Sequence, residues 1–319
     1  MPFDSVFTVS SWTDLLPDSA DPIGEARAVA EWNGLIALAD GIEGNVKIFR
    51  NDGRLAETIG RPGNGPGEFK RPNALLPLPD GSLGVYDFSR QTFTIFARDG
   101  TYRRAVAVPG AILGRVSLVD SSGTLLMPGR YFDLPPDSVR TPMHVVDSAG
   151  NRLHSFGMLP PIIHRGEGSF ELPSGLLVGN VWVWAARTGN QIRFLDRTSG
   201  RTWSVPACDE VYKPIDWEPM AHAAAASSET SNWMRQQMWL TDLIPVDTAH
   251  FLVTFTRWNV GPTAAQYWYA LTDVTGHTIW CAGPTPVRLY TAEHGRAIGL
   301  ETDSTGSVRL GRFALREPL

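Results

Sequence analysis

The chain has 319 residues, a formal net charge of −5, 19% charged residues, 31 Gly, 24 Pro and 11 Trp. It has no Lys/Arg-rich run, which argues against a nucleic-acid partner. It has no stretch of about 18 apolar residues, so no membrane span is expected.

The N-terminus, MPFDSVFTVSSWTDLLPDSADP, lacks the basic and apolar regions of a signal peptide. A mature chain whose signal has been removed reads the same way. Within this segment, Val6 to Trp12 has the alternation of a strand.

A repeat follows. LIALADGIEGNVKIFRNDG aligns with LGVYDFSRQTFTIFARDG. Asp40 falls on Asp87, Ile48 on Ile95, Phe49 on Phe96, Asp52 on Asp99 and Gly53 on Gly100, always 47 residues apart. KIF and TIF are short β-forming runs, and NDG and RDG are hairpin turns. The later turns are weaker: VVDSAG ends at Gly150, FLDRTSG at Gly200 and ALTDVTG at Gly276. An earlier turn in each unit falls at Gly34, Gly81, Gly123, Gly175 and Gly306. Units of about 40–50 residues with four strands each are the pattern of propeller blades.

The spacing predicts an all-β fold: a six-bladed β-propeller over residues 1–319 as one domain. The last unit stops early, and the Val6–Trp12 strand is expected to complete it. The long interval before Gly276 contains an Ala run and MRQQM, which predict a helical insertion at about 214–240, between blades 4 and 5. That insertion reads either as an ornament on the blade edges or as a lid or partner surface.

The segment GRPGNGPGEFKRPNALLPLPDGSLGVYDFSRQTFTIFARDG resembles an NHL-type six-bladed β-propeller repeat. The resemblance is carried by Gly60, Gly65 to Phe69, Pro72, Asp80-Gly81, Val85 to Asp87, Ile95-Phe96 and Gly100. The expected helical insertion followed by a final strand of the VRLGRF kind also resembles uncharacterised, usually exported bacterial six-bladed propellers. That similarity implies a secreted or periplasmic setting, with the cytoplasm as the alternative, and no activity. Gly63, Gly65 and Gly67 do not form a nucleotide loop, because Glu68 stands where the last glycine is needed.

Propeller ligands usually bind where the inner strands converge. Arg27, Arg71, Arg115, Arg165 and Arg296 each precede one of the earlier turns and would form a basic ring there. Clustered guanidiniums suit carboxylates or phosphates. The competing reading is solvated or salt-bridged loop arginines. His164 and Glu167, close together in HRGEG, are the candidate metal ligands, against a plain solvated loop. Asp40 and Asp87 are expected to hold turn N–H groups.

The leading expectation is a non-catalytic propeller binding a small anionic ligand or a protein partner at its axial face. The alternative is a metal-assisted lyase or hydrolase. No motif names a cofactor, and nothing sets the oligomeric state. Cys208 and Cys281 read first as two buried or unpaired thiols, with a disulfide as the alternative in an exported protein.

Overall fold

The computed structural model describes all residues except 18–20, 109, 113–114, 132–140, 159–172, 213–214, 216, 218–227, 259–264, 304 and 317–319. Strand β1 (Phe7–Asp14) precedes the first blade, formed by β2 (Ala26–Trp32), β3 (Leu35–Asp40), β4 (Asn45–Phe49) and β5 (Leu55–Ile59). A two-residue parallel pair, β6 (Arg61–Pro62) and β7 (Glu68–Phe69), leads to the second. That blade holds β8 (Pro72–Pro77), β9 (Leu83–Asp87), β10 (Thr92–Phe96) and β11 (Tyr102–Ala107).

The third blade begins with two fragments, β12 (Gly110–Ile112) and β13 (Ser117–Leu118), which both pair with β14 (Leu125–Tyr131). It continues through β15 (Met143–Val146) and β16 (Arg152–Phe156). The fourth holds β17 (Pro173–Val178), β18 (Val181–Ala186), β19 (Gln191–Asp196) and β20 (Thr202–Pro206). The fifth holds β21 (Trp239–Pro245), β22 (His250–Arg257), β23 (Gln266–Asp273) and β24 (Thr278–Thr285). The sixth has β25 (Arg288–Thr291), β26 (Arg296–Thr302) and β27 (Val308–Leu315). Its sheet order is β1-β27-β26-β25, so the N-terminal strand is its outer member and covers the edge of β27. The fold is a six-bladed β-propeller.

The chain divides into two compact units. One comprises Met1–Ser11, Gly157–Ser307 and Gly311–Leu319; the other comprises Trp12–Phe156 and Val308–Leu310. Within the second unit the 47-residue repeat packs as expected. Val46, Ile48, Val85 and Phe96 share one core with Trp32 and Phe69. Asp40 accepts the backbone N–H groups of Gly24, Glu25, Ile42 and Glu43 at 2.7–3.1 Å. Asp87 does the same for Lys70, Arg71 and Arg90. The aspartates replace water on amides that burial would otherwise strand.

The glycine-rich loop closes on its own glutamate. Glu68 accepts the Gly65 N–H at 2.7 Å and Arg61 Nε at 2.8 Å, which together hold its carboxyl below the usual value. A carboxylate already fills the place that a phosphate would need.

Two expectations are corrected. The insertion at about 214–240 is not a helical one. Among the described residues, its only helix is α1 (Ser228–Gln236), nine residues long, and Trp239 already begins β21. The tryptophans there serve packing instead. Trp217, Trp233 and Trp239 form a cluster with Ile215, with ring centroids 5.2 Å and 5.8 Å apart along the chain. Such aromatic burial anchors Trp217 and α1 against the start of β21. The second correction is that Cys208 and Cys281 are not free thiols: they form a disulfide across 73 residues, with Cα atoms 6.5 Å apart. Both lie in the core of the first unit beside Tyr212, Phe255 and Ala270.

Candidate anion-binding site

The described arginines that the turn spacing groups together do not share one strand position in their blades. Strand register shows this for the first two. Ala26 pairs with Asp40 and Ala28 with Ala39, so Arg27 is a bulge residue. Pro72 pairs with Asp87 and Ala74 with Tyr86, so the bulge residue of the second blade is Asn73. Arg71 therefore matches Glu25, not Arg27. Arg27 makes an ion pair with Glu25 at 2.7 Å. The Arg71 guanidinium lies 5.7 Å from the Phe88 ring centre. Arg115 is half-buried just before β13.

Arg296 is exposed and opens β26, the second strand of its blade. Because β25 and β26 are antiparallel, pairing Arg288 with Leu300 and Thr291 with Ile298, Arg296 lies at the end of the sheet opposite Arg288. Gly175 is not a turn either; it lies inside β17, opposite Trp184. Arg165, His164 and Glu167 lie outside the described residues.

A different pair of arginines occupies the end of blades 4 to 6 where first strands begin. Arg187 follows the last residue of β18, and its carbonyl accepts the Leu240 N–H at 3.2 Å. Its guanidinium lies 5.2 Å from the Trp239 ring centre and 4.8 Å from that of Trp258. Trp239 opens β21 and Trp258 follows β22, so two indoles from one blade face the same cation. Arg288 is the first residue of β25, with its guanidinium 4.7 Å from the Tyr290 ring centre.

The register builds the walls. Trp239 pairs with Thr256, and Thr256 with Tyr267, giving a row of three side chains across β21, β22 and β23. Thr241 bulges out of β21, and its hydroxyl meets that of Thr256 at 2.7 Å. Asp242 is anchored next to it: its Oδ1 accepts Ser174 Oγ at 3.2 Å and the Leu243 N–H at 2.8 Å.

The electrostatics set this place apart. Burial first, and then the charge of Arg288, push Arg187 down to about 10. Burial also works against Arg288, but Tyr290, Tyr267 and Asp242 hold it above the usual guanidinium value. Burial raises the Tyr267 phenol, and raises Tyr269 well above its ordinary value. Tyr269 is a structural link, donating to the Val287 carbonyl and accepting the Leu289 N–H, both at 2.8 Å.

Among the described residues, neither the Arg187 nor the Arg288 guanidinium donates a hydrogen bond or forms an ion pair, and the Arg187 Nε is fully shielded. The Trp239 and Trp258 rings lie 6.1 Å apart and are inclined at 45°, so they bound the Arg187 guanidinium on adjoining sides and not as two parallel walls. Two largely dewatered cations that repel each other cost free energy unless an anion joins them.

Comparison with known proteins agrees with the fold. Residues 1–109 match the DUF5128 family model, described as a 6-bladed beta-propeller. That match carries the blade number and not the NHL label. No curated protein matches the chain in sequence.

Among solved structures, the chain is similar to a candidate exported protein from Bacteroides fragilis NCTC 9343, at 12% identity, 99% of this chain, 97% of that chain and a TM-score of 0.69. It is similar to a DUF4221 family member from Bacteroides vulgatus ATCC 8482, at 10% identity, 97% and 98% coverage and a TM-score of 0.69. It is also similar to a catalytically inactive virginiamycin B lyase from Staphylococcus aureus crystallised with quinupristin, at 10% identity, 94% and 83% coverage and a TM-score of 0.52. Likeness at this level is likeness of fold. Among the described residues, no helix is long and apolar enough to cross a membrane.

Proposed function

We propose that this protein is an exported, non-catalytic propeller that binds an anionic ligand between Arg187 and Arg288. The observation that carries the reading is the pair of guanidiniums, packed on Trp239, Trp258 and Tyr290 and donating no hydrogen bond among the described residues. At neutral pH Arg187, at about 10, keeps its proton, as does Arg288. Such groups hold negative charge and do not exchange protons, which favours binding over acid–base chemistry. Export is supported by the Cys208–Cys281 disulfide, because such bonds persist in oxidising compartments. The likeness to a candidate exported protein points the same way.

The test is a titration of purified protein with acetate, benzoate, sulfate and phosphate, followed by tryptophan emission, since Trp239 and Trp258 touch the cation. At least one anion is expected to change the emission saturably, and Arg187→Gln and Arg288→Gln are each expected to abolish the change. No response to any of the four, or a response that survives both substitutions, would refute the reading.

A further inference from the structure

The repeat also shows where an apolar core is left short of a side chain. Between blades 1 and 2 the core holds Val46 and Ile48 from β4, Leu83 and Val85 from β9, Phe96 from β10, and Phe69 from the glycine-rich loop. The Phe69 and Phe96 ring centroids lie 5.7 Å apart. Register carries five of these positions to the next interface. Phe93 and Ile95 match Val46 and Ile48, because Asp87 pairs with Thr92 as Asp40 pairs with Asn45. Leu125, Met127 and Val146 match Leu83, Val85 and Phe96, because Leu125 pairs with Val146 as Leu83 pairs with Phe96. The five share one core between blades 2 and 3.

Across that interface Phe93 and Val146 simply exchange the valine and phenylalanine of Val46 and Phe96. Phe69 is what has no equal. Among the described residues, the segment leading to β13 gives this core only Val108 and Val116. A cavity of about 420 Å³, part of it open at the mouth, lies against all five matched residues. Side chains around such a space lack the contacts that an occupant would restore.

The polar groups of the cavity stand at its mouth and are already engaged. Arg104 and Ser148 are exposed, and Arg104 Nη1 donates to the Ser148 carbonyl at 2.7 Å. The Asp147 carboxylate accepts the Ala149 and Asn151 N–H groups and Asn151 Nδ2 at 2.8–2.9 Å. A charge carried further in would lose its water and meet apolar side chains among the described residues.

We propose that this cavity binds a small, neutral, apolar molecule, about the size of one aromatic ring, in the place that Phe69 takes at the preceding interface. The site lies wholly in the second unit, whereas Arg187 and Arg288 belong to the first.

Two experiments on the whole chain test it: a crystal pressurised with xenon, and calorimetry with toluene. Xenon is expected in contact with Phe93, Met127 and Val146. Toluene is expected to bind saturably, and benzylammonium, which adds a charge to the same ring, at least about tenfold more weakly. Val146→Phe gives β15 the phenylalanine that β10 has at Phe96, and it is expected to weaken toluene binding at least about tenfold. Toluene affinity unchanged in Val146→Phe would overturn the site. Benzylammonium binding as tightly as toluene, and lost in Val146→Phe, would overturn the neutral class of ligand. Should Val146→Phe fail to fold, the wild-type xenon map stands alone, and a cavity without xenon would overturn the proposal.

Discussion

Replacing Cys208 and Cys281 together by alanine removes a covalent tie between the segment after β20 and the last strand of the fifth blade. The two cysteines are separated by 73 residues. Closing a loop of that length lowers the entropy of the unfolded chain by about 15 cal/mol/K, which corresponds to about 4 kcal/mol at 25 °C. Alanine is preferred to serine, because both positions are buried in an apolar core and a hydroxyl there would add a separate cost. The assay is urea unfolding followed by circular dichroism, with wild type under oxidising conditions, wild type with reductant, and the double variant. The double variant is expected to be about 2–4 kcal/mol less stable than oxidised wild type. Reduced wild type is expected to match it within about 1 kcal/mol. A double variant as stable as oxidised wild type would show that the tie is not closed in solution, and the argument for an oxidising compartment would fall with it.

Four further outcomes follow from named contacts. Gly53 has φ +84°, and a Cβ there would lie 2.0 Å from the Asp14 carbonyl oxygen, so Gly53→Ala should cost about 2–4 kcal/mol in urea unfolding. Lys47 is fully buried between Asp21, at 2.7 Å, and Asp40, at 3.4 Å. Lys47→Met should cost about 3–5 kcal/mol by the same assay, because Asp40 is left buried without its counter-charge. Burial works against the Asp21 charge, but hydrogen bonds from Lys47, Thr58 and Asn45 outweigh it and hold its carboxyl below the ordinary 3.8. A lowered carboxyl contributes stability that is complete above its unfolded value and lost as pH falls through the folded one. Wild type should therefore lose more stability than Asp21→Asn as pH falls from about 5 towards 3, read from unfolding midpoints. Finally, anion affinity should weaken as pH rises past about 10, where Arg187 loses its proton, when titrations are repeated at rising pH.

The scaffold was readable because its devices repeat. Asp40 and Asp87 bind turn amides in the same way, and the strands NVKIF and TFTIF bury equivalent residues. The closing role of the N-terminal strand followed from a last unit that is one strand short. The proposed Arg187–Arg288 site was not readable by the same means. Spacing to a glycine turn ignores register: both blades carry the same bulge, but the loop joining their first two strands differs in length, so Arg27 matches Asn73 and Arg71 matches Glu25. It also placed Arg296 on a first strand, although that strand had already passed at Arg288.

Arg187 stands where the repeat fails. By register, Ala186 occupies the position of Asp40 and Asp87. Loss of that aspartate in WVWAARTG was the one signal in the sequence, and it means something only once the pairing is known. The helical reading of 214–240 failed for a related reason. Apolar residues there follow no single period, and the tryptophans pack on one another across α1 and β21.

The central claim is that Arg187 and Arg288 hold one anion. A crystal structure of the wild-type protein grown with benzoate tests it most directly. A carboxylate bridging the N–H edges of both guanidiniums, with Trp239 and Trp258 still against Arg187, is the predicted result. Arg187 and Arg288 joined to carboxylates of the chain itself, with benzoate elsewhere, would contradict it.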